Sequence, residues 1–430
     1  MSRVGRWSRV IVLATSLLTL FMAATMPADR SAAAPSTKRA ESPDAAFTGQ
    51  RGLSVGRTFG SPVKDLANPE QYAKEPYAPR WSESMPRVLL KDLVDTGFDF
   101  LRIGIDPGPL LAADHITLED RIRHITEAVD HTLAAGLKVV VDIHPSETHP
   151  LWNLHKLTAG PNEPAVKRFL EVMRTLAGAL ARFDAKQVAL EVFNEPPSPC
   201  EWRDRPSWST QLKTLTDQVR VAAPRLTLLL SGPCYASMDG LHFIKPAQFD
   251  QNTIFVVHFY EPRIFTHQGF WASSSEYIQR LKFPPDPAQK DAMIAAVVQR
   301  VNEDTSISES EKNRLVAEAS KNFQEYFANF KGYRAIDEFF DGIAKWAVQN
   351  EVDPRRIIIG EFGVLGDVYD KIAAAPEDRA RWIEAVRTAA ERRGFRWAVW
   401  AYSYSFGIIL GDTEGPLDPV IVKALGLKGS

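Results

Sequence analysis

Glu195 and Glu361 each stand at the end of an apolar run, in Phe193-Asn194-Glu195-Pro196 and in Gly360-Glu361-Phe362-Gly363. Two further runs end in Asp142-Ile143-His144 and in His258-Phe259-Tyr260-Glu261-Pro262. Another carries Arg102, and the last holds Trp397 and Trp400. One glutamate closing an apolar run reads as a helix cap or as half of an ion pair. Two of them, with an arginine, two histidines, a tyrosine and a tryptophan at equivalent places, read as acid–base machinery. Cleaving a glycosidic bond needs such a pair. One carboxyl stays protonated and gives its proton to the leaving oxygen. The other stays ionised and attacks the anomeric carbon or activates water. An arginine and a tyrosine beside a carboxylate favour its charged form. An ionised carboxylate next to a second one favours keeping that one protonated.

Eight short apolar runs must place these groups: Gly52–Gly56, Phe98–Ile105, Leu137–His144, Gln187–Asn194, Leu226–Gly232, Thr253–Tyr260, Ile357–Gly363 and Trp397–Ser403. Most lack strict alternation, as buried parallel strands do. Helical spacing fills the gaps over Leu118–Ala135, Ala165–Phe183, Gln211–Val221 and Pro376–Arg393. Gly136 and Gly394 are placed to stop two of these helices. Strand and helix alternating eight times predicts an α/β fold, a (β/α)8 TIM barrel, with functional groups at the C-terminal strand ends. One gap is too long, so an enlarged segment, residues 264–350, is expected between strands 6 and 7. Its charge runs read as solvated helical faces.

The set LRIGI, VDIH, VFNEP, HFYEP, GEFG and AVWAYS, in this order, resembles glycoside hydrolase family 5, the cellulase family, across nearly the whole chain after its N-terminal segment. FTHQGFW, Phe265–Trp271, is similar to a segment of bacterial members. The resemblance implies a retaining glycosidase with Glu195 as general acid/base and Glu361 as nucleophile. It implies that Asn194 holds the sugar 2-hydroxyl and that Arg102 and Tyr260 orient Glu361. It further implies that His144 and His258 are rim contacts and that Trp400 is the platform under the reacting sugar. The expected substrate is a β-1,4-glucan cut internally. β-Mannan, β-1,3-glucan or a polymer made by the producing cell are alternatives, and a non-catalytic carbohydrate-binding barrel is a rival of another class. No cofactor and no metal is implied. No carbohydrate-binding module is recognisable, which directs the expectation to soluble or amorphous glucan.

The remaining features set the context. The chain has 430 residues, is 45% hydrophobic and has a net charge of −2, a globular composition without the basic surplus that nucleic-acid binding needs. Arg3, Arg6 and Arg9 precede an apolar run from Val10 to Met26, and the small cluster Ser31–Ala34 follows. This reads as a secretory signal peptide over residues 1–34, then a polar leader over 35–50 and a single catalytic domain over 51–430. Signal removal takes four arginines and one aspartate, leaving a charge of −5. The expected product is a monomer in the periplasm or medium, without membrane association. In that oxidising setting Cys200 and Cys234, the two cysteines of the chain, are a candidate disulfide. Trp152, Trp202, Trp208 and Trp271 are either sugar platforms or loop packing. His115, His124 and His131 read as surface or core histidines rather than metal ligands. Ser61-Pro62-Val63-Lys64 is a chance match to Ser-x-x-Lys.

Overall fold

A computed structural model describes residues 47–68, 70–197, 208–270 and 273–428. The expected signal peptide, most of the expected leader, Cys200, Trp202 and Trp271 lie outside the described residues. Eight parallel strands close into a barrel in sequential order, β1 pairing with both β2 and β8. They are β1 Arg51–Val55, β2 Phe100–Ile105, β3 Lys138–Ile143, β4 Val188–Glu191, β5 Thr227–Ser231, β6 Thr253–Phe259, β7 Ile357–Phe362 and β8 Arg396–Val399. The main helices are α1 Arg87–Thr96, α2 His115–Ala134, α3 Pro164–Leu180, α4 Trp208–Ala222, α5 Lys290–Glu303, α6 Glu309–Ala328, α7 Tyr333–Gln349 and α8 Pro376–Arg392.

The apolar runs become strands covered on both faces. Outward residues such as Leu101, Val139 and Leu190 pack against the helices in one large cluster. Inward residues Phe100, Val140, Ala189, Leu229, Ile254, Val256, Ile358 and Ala398 form a small inner cluster with Phe47. Side chains alternate faces with period two. The inward position after Phe100, Val140, Ala189 and Leu229 is therefore Arg102, Asp142, Glu191 and Ser231. An apolar floor thus carries a polar layer on the same strands.

Helix ends follow their capping chemistry. Asp114 caps α2 by accepting from Thr117 N, and Gly136 ends the turn beyond it at φ 100°. α8 opens with Pro376, then Glu377 and Asp378. Within the enlarged segment, α7 is the barrel's own helix: Trp346 packs on Phe255 and Phe340 on Phe259, both of β6. The added material is therefore residues 264–332, and it holds α5 and α6. Tyr326 of α6 donates to Lys282 O, and Gln268, fully buried, donates to Phe265 O and Leu281 O. Among the described residues no helix is long and apolar enough to cross a membrane.

Candidate active site

The polar layer converges on Arg102, whose guanidinium is buried. Its Nε donates to Glu191 Oε2 at 2.7 Å and its Nη2 to Glu191 Oε1 at 3.0 Å. Nη2 also donates to Asn194 Oδ1 at 2.5 Å and lies 3.1 Å from Asp142 Oδ2. Nη1 donates to Glu361 Oε1 at 2.9 Å. One cation thus faces three carboxylates from β3, β4 and β7. A buried charge is tolerable only when paired and hydrogen-bonded in this way.

Glu361 reaches this place through an irregularity of β7. Val257 of β6 pairs with Ile359, but the next residue, His258, pairs with Glu361, so Gly360 is an extra residue. With strict period two, Gly360 would point inward and Glu361 outward. The bulge leaves Gly360 facing Val256 of the inner cluster and turns the Glu361 carboxylate into the barrel mouth beside it. A Cβ at Gly360 would lie 2.6 Å from Val256 Cγ1 and 3.1 Å from His258 Nε2, so the position admits glycine. The second oxygen of Glu361 accepts from Tyr260 Oη at 2.8 Å.

Glu195 faces Glu361 across the mouth. Its Oε1 shares a hydrogen bond of 2.7 Å with His258 Nδ1, and its side chain stays 30% exposed, open to an incoming molecule. Burial pushes the Glu195 carboxyl up to about 7, against the pull of His144, Arg102 and Arg263. Burial pushes His258 down to about 4, so its ring is neutral near pH 7. Burial would also lower His144, but the Asp142 carboxylate, 2.9 Å from its Nδ1, outweighs this and holds it at about 9. Burial pushes the Glu191 carboxyl upward, and the paired Arg102 guanidinium pulls it back down. His144 stacks on Trp400 at 5.3 Å and lies 3.3 Å from Asn194 Nδ2.

All eight rim residues named from the strand ends therefore meet at one mouth: Arg102, His144, Asn194, Glu195, His258, Tyr260, Glu361 and Trp400. Glu195, His258 and Glu361 each offer one ligand atom within 4.8 Å of the others, the one such group among the described residues. A cation there would compete with Arg102 and Tyr260, which already hold both oxygens of Glu361. Other candidates fall elsewhere. Trp208 begins α4, is buried and donates to Ser231 O, so it packs and does not line the cleft. Trp152 is partly buried against the core. Trp397 is buried behind the barrel, its Nε1 donating to Glu391. His124 packs on Phe59, and His131 bonds the Met85 carbonyl. Cys234 is disulfide-bonded, while Cys200, its expected partner, lies outside the described residues.

Sequence reasoning gave no role to Asp142 and Glu191. Their signal was present: each is an ionisable residue inside an apolar strand, two positions beyond an inward apolar residue.

A family model described as Cellulase (glycosyl hydrolase family 5) matches residues 66–405. The chain is 25% identical over 349 residues to Endoglucanase 3 of Fibrobacter succinogenes, covering 79% of this chain and 48% of that one. It therefore spans about half the length of that relative. It is 23% identical to Endoglucanase C of Acetivibrio thermocellus, covering 79% of this chain and 90% of that one. The crystal structure of the cellulose synthase subunit Z of Clostridioides difficile superposes with a TM-score of 0.60 at 23% identity, covering 88% and 99% of the two chains.

Proposed function

The chain belongs to the cellulase family, glycosyl hydrolase family 5, and from that premise we propose that it is an exported, retaining glycosidase cutting internal β-1,4 bonds of a glucan. The observation that carries the retaining mechanism is the approach of Glu195 and Glu361, whose carboxylate oxygens lie within 4.8 Å of each other. Retaining glycosidases hold their carboxyl groups about 5 Å apart. Inverting ones need roughly 6.5–9.5 Å, to seat a water between carboxylate and sugar.

In this reading an oxygen of Glu361 attacks the anomeric carbon, while Arg102 and Tyr260 hold the carboxylate in place. Glu195 gives its proton to the glycosidic oxygen, and the C–O bond to the leaving sugar breaks. A glycosyl ester on Glu361 results. Glu195, now ionised, takes a proton from water as that water attacks the same carbon and Glu361 departs. Asn194 binds the 2-hydroxyl of the reacting sugar, the Trp400 ring supports its apolar face, and His144 and His258 contact substrate and acid. Neutral His258 leaves the Glu195 proton in place. Export follows from the N-terminal segment, with the mature chain beginning near residue 35.

The test is reducing-sugar release from carboxymethylcellulose, mixed-linkage glucan, laminarin and mannan. Wild type is expected to cleave the first two best. Glu195→Gln and Glu361→Gln are expected to lose at least about 10³-fold in kcat, as removal of a principal catalytic group does. A preference for mannan or laminarin overturns the sugar assignment. Full activity of both variants overturns the residue assignment. No cleavage by wild type favours the non-catalytic barrel.

A further inference from the structure

Among the described residues Arg102 is the one cation hydrogen-bonded to both Glu361 and Asn194, so the plane of its guanidinium sets two groups at once. A guanidinium on a flexible stem is not self-orienting. Something must hold its plane, and the contacts show what does. Glu191 accepts from Nε and from Nη2 with its two oxygens, a bidentate pair at 2.7 and 3.0 Å. This fork-to-fork geometry fixes orientation as well as charge. It occupies the Nε edge and directs Nη1 towards Glu361. Glu191 is itself anchored: it is fully buried on β4, and Ser231 of β5 donates to its Oε1 at 3.3 Å. It lies beneath the mouth and is four residues from Glu195, so it does not reach the sugar.

We propose that Glu191 is a positioning residue. It locks the plane of the Arg102 guanidinium, and through it aligns both the Glu361 carboxylate and the Asn194 amide on the reacting sugar. Asp142 supports the same guanidinium from β3, at 3.1 Å from Nη2, but it also holds His144. Its closest approach to Arg102 is at Nη2, whereas Glu191 accepts two hydrogen bonds, from Nε and Nη2. Glu191 is the bidentate partner and so decides the plane. The inference rests on the retaining reading above.

The test compares wild type with Glu191→Gln and Glu191→Asp, on an aryl β-cellobioside and on the same compound lacking the 2-hydroxyl of the reacting ring. Glutamine keeps the shape but sets an NH2 group against guanidinium donors. A misplacement of about 1 Å at a reacting group costs on the order of 10²-fold, so Glu191→Gln is expected to lower kcat by about that factor with KM nearly unchanged. The 2-deoxy penalty should shrink as well, because a misaligned Asn194 no longer rewards the hydroxyl. Glu191→Asp keeps the charge and is expected to recover part of both effects. If kcat falls with the 2-deoxy penalty unchanged, the loss is general damage and the proposal is wrong. Unchanged kcat also overturns it. Should Glu191→Gln fail to fold, Ser231→Ala removes only the hydroxyl on Oε1. It is expected to give a smaller kcat loss with the same shrinking penalty, and no change in either refutes the proposal. Wild-type inactivity on the parent glycoside would instead count against the retaining reading itself.

Discussion

At the scale of single residues, the mouth separates two chemically identical side chains by surroundings. Glu361 accepts from a guanidinium on one oxygen and from a hydroxyl on the other. Glu195 has the neutral ring of His258 and a partly buried setting that pushes its carboxyl up to about 7. The sign of the pH dependence follows. The acid must hold its proton in the free enzyme, so kcat/KM is expected to fall as pH rises through about 7. Arg263 favours the ionised form of Glu195, so Arg263→Gln should move that fall to higher pH. Because Arg263 is exposed, screening keeps the shift small. A pH–rate series of both proteins checks this, and a shift to lower pH would contradict it.

At the scale of elements, the bulge of β7 decides which way a catalytic candidate points. Gly360→Ala would force a methyl against Val256 and His258. Overpacking of this kind typically costs about 1–3 kcal/mol, and here it also presses on the ring that contacts Glu195. The variant is expected to unfold at lower temperature and to lose kcat. Wild-type melting with full activity would show the bulge to be tolerant. The strands themselves were legible in the sequence, since each apolar run ended in polar residues and the runs matched β1 to β8 within a few residues. The rim residues were legible for the same reason, standing where the runs stop. The bulge was not, because one extra residue in a strand changes no composition. Asp142 and Glu191 were missed because a charge inside a buried strand gains meaning only when register brings its partner opposite. Trp208 was misplaced because the helix it begins starts three residues before the apolar spacing suggests.

At the scale of the whole molecule, the barrel devotes its inner space to two layers, apolar below and ionic above. The added residues 264–332 leave this plan intact. They enter and leave beside β6 and are tied down by Gln268 and Tyr326, while α7 returns to the barrel wall. Their length was visible as an overlong gap. Their division into an inserted pair and a barrel helix was not, since both parts show the same amphipathic spacing. The N-terminal arginines and apolar run make a prediction about the protein as made by its cell: the exported chain should begin near residue 35. N-terminal sequencing of protein from outside the cytoplasm tests it, and an exported chain that retains residues 1–34 would refute cleavage.

The paired grip on Glu361 has one more consequence. Arg102 and Tyr260 are held by β2 and β6, not by the residue they serve, and Glu191 and Asp142 keep the guanidinium aimed whether or not a carboxylate answers it. Stripped of that side chain, as in Glu361→Gly, the mouth would remain a preformed receptor for a small anion such as formate or azide. The Glu361 carboxylate is thus the tethered occupant of an anion site that the barrel would build without it.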